Sequence, residues 1–431
     1  MADPWVSLLI GGTILLVGFA AYLAFQRYHI PDFFVLMVLG AVLGVVPVAP
    51  FGPGLLGSLG YLLPAFTNLT IAFILFEGGL SLRLQGDART IGTMMAHILG
   101  AVALTMILVW FLAARVFGLG DAASLVLAFA FSSPSASIAL SFAPRMHLSD
   151  RAEGTIILEG VLTNVVAAMG VLFAIEWYGA GGTGSALPFA LQAAGAAAFA
   201  TAIGGVWRLV GRRLQGKEFL FIASTGMAVV VYAAAQGIFN GNGAVAVFAF
   251  GVVLGYRPRG PTDAALREYG TEFRRPVDPL KNFQSEVTFA LRTFFFVYLG
   301  LLLVSQLGSL SALIAGFAFT GAFLLGRAPT SLGIGRLLNL PRRERRVLLA
   351  AMGRGMTDVI LILLALQSGA IPAAQGAFIL EILPTTVLIS AITCALLLVW
   401  ADRTPPPVLA RLAPPPSPEA PAPQASATDL R

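Results

Sequence analysis

Apolar runs of about 18 or more residues recur along almost the whole of this sequence, and few folds are open to such a chain. Inside a bilayer every backbone N–H and C=O must be satisfied within the chain, which leaves helices and closed barrels. A barrel needs alternating segments of about ten residues, and the sequence has none of these. Of the 431 residues 57% are hydrophobic and only 11% are charged, which excludes an ordinary soluble domain. The reading is an all-α polytopic membrane protein. About thirteen spans are expected, at roughly 5–25, 33–49, 55–80, 96–117, 121–143, 155–178, 187–210, 219–239, 243–256, 284–305, 310–335, 345–368 and 376–400. The third is long enough to be tilted or broken.

Charge placement tests that count. With the N-terminus outside, thirteen spans put the C-terminus in the cytoplasm. Of the 27 Lys and Arg residues, 23 then fall on the inner side. They cluster at Arg208–Lys217, Arg257–Lys281 and Arg336–Arg346. Arg115 alone lies near an outer loop, and Arg292, Arg327 and Arg354 fall within spans. Cytoplasmic loops of membrane proteins carry this excess of Lys and Arg, so the asymmetry supports both the count and the orientation. The start, Met1-Ala2-Asp3-Pro4, lacks the basic segment of a cleaved signal peptide, and the first apolar run reads as a retained span. The expected plan is one transmembrane domain over 1–403, with a charged cytoplasmic loop at 257–283. A Pro- and Ala-rich tail over 404–431 cannot bury a core and is expected to be disordered.

The stretch 121–179 is expected to organise the rest. Its first span carries Ser132-Ser133-Pro134-Ser135-Ala136-Ser137 at mid-length, and the second carries Glu159-Gly160-Val161-Leu162-Thr163-Asn164. Proline has no N–H to give a helix, so the first span should be interrupted. Interrupted backbone at membrane depth is tolerated where it is buried in protein or lines a polar cavity. These two spans are expected to cross near the midplane and build an ion site. A weak echo links Leu158–Asn164 with Leu380–Thr386. Counting back 26 residues from Glu159 and Glu381 lands on Ser133 and Gly355, both in segments that look interrupted. That pattern is what an inverted repeat with its site at the repeat interface would leave.

Ionisable residues inside spans are costly and mark function. Glu77, in Phe76-Glu77-Gly78-Gly79-Leu80, reads either as an interfacial carboxylate or as a ligand or proton carrier beside the cavity. Glu159 needs a cationic partner, and Arg354, flanked by Gly353 and Gly355, is the expected one, as a structural pair. Asp358 lies four residues beyond Arg354 and either pairs with it or gives the cavity a titratable charge. Glu381 has the same ambiguity, with Pro384 able to open a kink after it. Glu286 and Arg292 read as interfacial. His29, His97 and His147 are placed in loops or at span ends. With Cys394 alone, no transition-metal site is expected. No Gly-x-x-x-x-Gly-Lys-Ser/Thr loop is present, so ATP hydrolysis is unsupported and no enzyme or cofactor is expected.

Leu75–Leu80, the Phe-rich run Thr293–Leu301 and Gly353-Arg354-Gly355 together resemble the monovalent cation:proton antiporter superfamily, in particular its NhaP-like sodium/proton exchangers, over roughly residues 5–400. The resemblance implies an inverted-repeat fold with two interrupted crossing helices and a homodimer, and the high Ala and Gly content with 26 prolines fits a plasma (inner) membrane location. It also implies a cation site at Glu77, Ser132, Ser133, Gly160 and Asn164. Two departures bear on mechanism. The family usually has Thr-Asp-Pro where this chain has Ser132-Ser133-Pro134. It usually has Glu-x-x-x-Asn-Asp where Glu159 is followed by Thr163 and Asn164. The aspartate that exchanges cation for proton therefore aligns with Asn164, which offers a neutral oxygen and cannot titrate.

The leading expectation is a secondary antiporter exchanging Na⁺ or K⁺ for H⁺ by alternating access, its acid moved to Glu77 or Asp358. Two alternatives stand beside it. One is a transporter of the same fold with uncoupled cation flux or another substrate. The other is a non-transporting membrane sensor.

Overall fold

The computed structural model describes residues 4–28, 32–45, 53–82, 88–135, 146, 148–179, 186–213, 219–256, 279–304, 306 and 308–402. Among these the chain is all helical, in fourteen α-helices. They are α1 Pro4–Tyr28, α2 Asp32–Val45, α3 Pro53–Ser81, α4 Ala88–Phe111, α5 Asp121–Ala130, α6 Asp150–Gly179 and α7 Ala186–Arg213. There follow α8 Leu220–Ile238, α9 Gly243–Gly255, α10 Pro279–Val304, α11 Leu310–Leu337, α12 Arg342–Ala350, α13 Met356–Gln367 and α14 Ala373–Asp402. A π-helical turn, Leu112–Val116, ends α4. Eight helical segments are long and apolar enough to cross a bilayer, and five shorter apolar ones accompany them. The expected loop at 257–283, apart from the start of α10, and the expected tail at 404–431 lie outside the described residues, as do His29, His147 and residues 136–145.

The helices sort into two groups by what each packs against. In one, α10 lies along α2 and α3, α1 lies on α2 and α10, and α9 fills the space between α3, α7 and α8. In the other, α11 packs on α4, α12 and α14, while α5 packs on α4 and α6, and α13 on α5 and α6. The groups meet where α3 touches α6 and α13, α9 touches α6, and α10 touches α13 and α14.

Between helices in lipid the driving force is close packing, and small residues make it possible. At the α3–α9 contact a Cβ on Gly79 would sit 2.5 Å from the Phe248 carbonyl oxygen. One on Gly251 would sit equally close to that of Phe76. The rings of Phe76 and Phe250 stack beside this seam, 5.7 Å between centroids. The approach fixes the end of α3 that carries Glu77. Helix α3 runs unbroken through Pro64, so the long third span is one helix rather than two. Helix α14 likewise continues through Pro384. Proline removes one ladder bond in such helices, and packed neighbours make it tolerable.

Two helices do stop inside the bundle. Helix α5 ends at Ala130, and 131–135 continue without helical structure, all of them buried. Helix α12 ends at Ala350, and α13 starts only at Met356 after an irregular 351–355. The Ser135 N–H donates to the Gly353 carbonyl at 2.9 Å. That bond joins the break after α5 to the break before α13, and α6 packs on both α5 and α13. Only an unwound segment has free N–H and C=O groups to bond across a crossing, and α6 is continuous.

Candidate functional site

The first break follows from its own side chains. The Phe131 N–H closes the last turn of α5 on Leu127 O at 2.9 Å. Ser132 then turns back, its Oγ donating to Phe129 O at 2.7 Å, and Pro134 cannot donate at all. Ser133 points the other way, at α6. Its Oγ lies 2.5 Å from Asn164 Oδ1 and 3.0 Å from Thr163 Oγ1. Thr163 Oγ1 in turn donates to Glu159 O at 2.7 Å. Three neutral oxygens thus converge at a buried point where the backbone is already unwound. Hydroxyl and amide oxygens of this kind ligate hard monovalent cations and carry no charge of their own.

The second break is held through its backbone. Arg327 Nε donates to Leu348 O at 2.7 Å, in the last turn of α12. The Met352 and Gly353 N–H groups face the Cys394 thiol. The Arg354 N–H donates to Ser390 Oγ at 3.1 Å, and the Gly355 N–H to Asp358 Oδ2 at 2.8 Å. Ser135 of the first break and helices α11, α13 and α14 between them therefore satisfy groups that unwinding frees. Gly355 is the point of closest approach. A Cβ there would overlap Ser135 Oγ and lie 2.7 Å from Ser135 Cβ, so a side chain at 355 would push the two breaks apart.

Asp358 is 2% exposed and caps the start of α13 from inside. No ion pair within 4 Å joins it to Arg354 among the described residues. Arg354 is as deeply buried, with its guanidinium 4.0 Å above the Phe323 ring. Its Nε and Nη1 have no hydrogen-bond partner among the described residues. Glu77 lies on α3, which touches α6 and α13. It is half-buried, and its Oε1 accepts from Ser285 Oγ of α10 at 2.7 Å. Glu381 accepts from Ser309 and Ser311 at the start of α11, at 2.5 and 2.6 Å.

The expected pair of Glu159 with Arg354 does not form. Glu159, 1% exposed, is held by Arg327 in a two-point clamp, Nη1 to Oε1 at 2.5 Å and Nη2 to Oε2 at 2.6 Å. Both partners are buried, and a planar guanidinium meets a carboxylate best edge to edge. Arg354 cannot compete, because its flanking glycines bring the backbone close to Ser135 while its side chain turns over Phe323. His97 is the second correction. It lies well inside α4 and is 1% exposed, with Nε2 3.6 Å from Glu159 Oε2. Arg327 carried one weak signal in the sequence, a glycine beside it. A Cβ on Gly326 would sit 2.6 Å from Thr105 Oγ1, so this stretch of α11 lies hard against α4.

The arrangement is thus a neutral oxygen cluster, a buried acid one break away, and a fully paired carboxylate beneath. The fold that carries it is found elsewhere. The sodium/proton antiporter MjNhaP1 of Methanocaldococcus jannaschii, solved at pH 8, superimposes with a TM-score of 0.68 at 17% identity. That match covers 92% of this chain and 96% of the other. A second structure of the same antiporter, from electron microscopy, gives a TM-score of 0.68 at 16% identity, covering 93% and 96%. The sequence itself matches the family described as "Sodium/hydrogen exchanger, transmembrane" over residues 12–400. The chain therefore belongs to the sodium/hydrogen exchanger family, and it is a multi-pass membrane transporter rather than an enzyme.

Proposed function

We propose that this protein exchanges a monovalent cation, Na⁺ or K⁺, for H⁺ by alternating access, with Asp358 as the acid that trades one for the other. The observation that carries this reading is the Ser133–Thr163–Asn164 oxygen cluster at the crossing. Asp358 is tied to the same crossing through Gly355. A carboxylate there binds either a proton or a cation stripped of water. Ser132, Ser133 and Asn164 contribute neutral oxygens, and Glu77 stands on the α3 side as a charged ligand for the cation. Asn164 supplies a ligand where an aspartate would titrate. One exchangeable acid makes one-for-one, electroneutral exchange the simplest stoichiometry. Rocking of the α4–α6/α11–α14 group against the other then exposes the site to each side in turn. The protein works as a homodimer in the plasma membrane, N-terminus outside, as its basic residues argue.

The test is cation-driven proton flux in proteoliposomes. Asp358→Asn is expected to abolish pH-coupled exchange, and Glu77→Gln to raise KM for the cation by roughly tenfold or less, the loss of one charged contact. If both variants exchange like the wild type, the reading is wrong. Asn164→Asp is expected to restore a second titrating acid and strengthen coupling. The neutral cluster also favours a second reading, cation flux without proton movement. Wild-type cation uptake that leaves the internal pH unchanged would select it.

A further inference from the structure

Helix α12 opens with Arg342-Arg343-Glu344-Arg345-Arg346, and Arg336 lies at the end of α11 just before it. Two of these charged groups are used inside the protein. Glu344, 7% exposed, accepts from the Ser149 N–H at 2.8 Å and from Ser149 Oγ at 2.7 Å, beside the start of α6. Arg343 Nη2 donates to Met146 O at 2.8 Å. Arg342, Arg345 and Arg346 share one face of the helix, at i, i+3 and i+4. Among the described residues no carboxylate pairs with any of these three, nor with Arg336.

That face sits in a notch between the ends of two long helices, since α12 packs on both α11 and α14. Arg345 lies across the end of α11, where a Cβ on Gly335 would sit 2.7 Å from Arg345 Cγ. Its Nε is shut off from solvent and has no hydrogen-bond partner among the described residues. Arg346 lies over the ring of Trp400, 4.6 Å from its centroid and two residues before the end of α14. The same two helix ends expose Leu337, Leu396, Val399 and Trp400.

Depth decides what can fill the notch. Helix α12, the second break and α13 together run over 342–367, with the break near the middle. The nine residues of α12 rise about 13 Å, close to half of a hydrocarbon core about 30 Å thick. The first turn of α12 therefore lies at headgroup level, where tryptophan rings also collect. Guanidiniums without a carboxylate, beside exposed leucines, fit a molecule with an anionic head and apolar tails. Arginine takes a phosphate through paired N–H donors.

We propose that the notch between α11, α12 and α14 is a binding site for an anionic phospholipid. Arg342, Arg345 and Arg346 hold its phosphate, Arg336 adds charge at the rim, and its acyl chains cover Leu337 and Leu396. The bound lipid fixes the first turn of α12, the helix that leads into the second break. The site is separate from the crossing, so the inference goes beyond the exchange reading and stands or falls without it.

The chain has five tryptophans, and the part of the fluorescence that Trp400→Phe removes reports on the notch. The full chain is reconstituted in phosphatidylcholine vesicles containing rising fractions of phosphatidylglycerol brominated on its acyl chains, which quenches a ring it touches. Quenching of Trp400 is expected to be half complete near a phosphatidylglycerol fraction of about one-tenth, the preference that one to two well-placed guanidiniums supply. Arg342→Gln/Arg345→Gln should erase that preference. Arg336→Gln/Arg342→Gln changes two exposed residues, should weaken the preference about threefold, and decides the matter if the first pair prevents folding. Arg212→Gln/Arg213→Gln, at the end of α7, removes the same charge elsewhere and should leave the preference intact. Quenching that merely follows the bulk lipid fraction in the wild type overturns the proposal, as does an unchanged preference in the folded notch variants. An equal loss in the α7 variant overturns it too, because diffuse charge would then suffice. So does release of the brominated lipid by inorganic phosphate, because the ligand would then be a free anion.

Discussion

The break at 131–135 and the break at 351–355 are joined by the hydrogen bond from Ser135 to Gly353, yet they are built on different plans. The first has side-chain oxygens to present. Ser133 reaches out of its own segment to Thr163 and Asn164, and no charge is involved. The second has backbone to hold. Its carbonyls and N–H groups go to Ser135, Ser390 and Asp358, and Arg327 holds the end of the helix before it. Unwinding a helix in a bilayer frees polar groups that cost several kcal/mol each if left bare. One break meets that cost with short polar side chains and a proline that never had an N–H. The other meets it with contacts from three helices, α11, α13 and α14, and from the first break. A site that must change ligands suits the first plan, and a frame that must survive the change suits the second.

The largest way to break this contrast is Arg327→Met. The variant removes the clamp on Glu159 and the bond to Leu348 O together. Stranding one member of a buried ion pair costs about 3–5 kcal/mol, and denaturant unfolding in detergent should read a loss of that size. The double variant Arg327→Met with Glu159→Leu should recover much of it, because the stranded charge is gone. A single variant as stable as wild type would show that the second break does not lean on this pair.

Gly355→Ala acts on both breaks at once. Its Cβ overlaps Ser135 Oγ and sits 2.7 Å from Ser135 Cβ, and overpacking of a tight core costs about 1–3 kcal/mol. Adding Ser135→Gly should relieve most of the loss. Next in size is Ser390→Ala, which leaves the buried Arg354 N–H without its acceptor, on the order of 1–2 kcal/mol. Hydrogen exchange at 354 should rise in that variant while exchange at 131–135 stays unchanged. Equal rises at both would mean the two breaks share one support and the contrast fails.

The sequence carried the two plans unequally. Apolar runs made the helices legible, because nothing but a helix or a barrel is stable in lipid. Ser132-Ser133-Pro134 and Gly353-Arg354-Gly355 made both breaks legible, since proline and glycine act on their own backbone. Partnership was not legible. Three arginines lie inside spans, and α11 is apolar on either side of Arg327, so no polar face announced which arginine meets Glu159. His97 was hidden for a related reason. The apolar run begins near residue 96, yet α4 starts at Ala88, placing the ring about two and a half turns inside a helix whose first turns are polar. The glycines beside Arg354 permit a close backbone approach without saying where its side chain goes. At 355 the glycine serves the backbone.

Ser133→Ala is the smallest expected change in stability and the sharpest test of what the first break is for. Thr163 keeps its bond to Glu159 O without Ser133, and Asn164 can turn its amide toward whatever enters. In a site that exchanges ligands, water or the ion takes the place of the missing hydroxyl. The loss in unfolding free energy should therefore stay near the low end for a single hydrogen bond, about 0.5–1 kcal/mol. Transport should respond more. With one neutral ligand gone, KM for the cation should rise roughly tenfold, the equivalent of about 1.4 kcal/mol, with the maximal rate little changed. The opposite pairing, a large loss of stability with KM unmoved, would assign Ser133 to holding rather than presenting. The first break would then be a second frame, and the ion's ligands would have to be sought nearer Asp358 and Glu77.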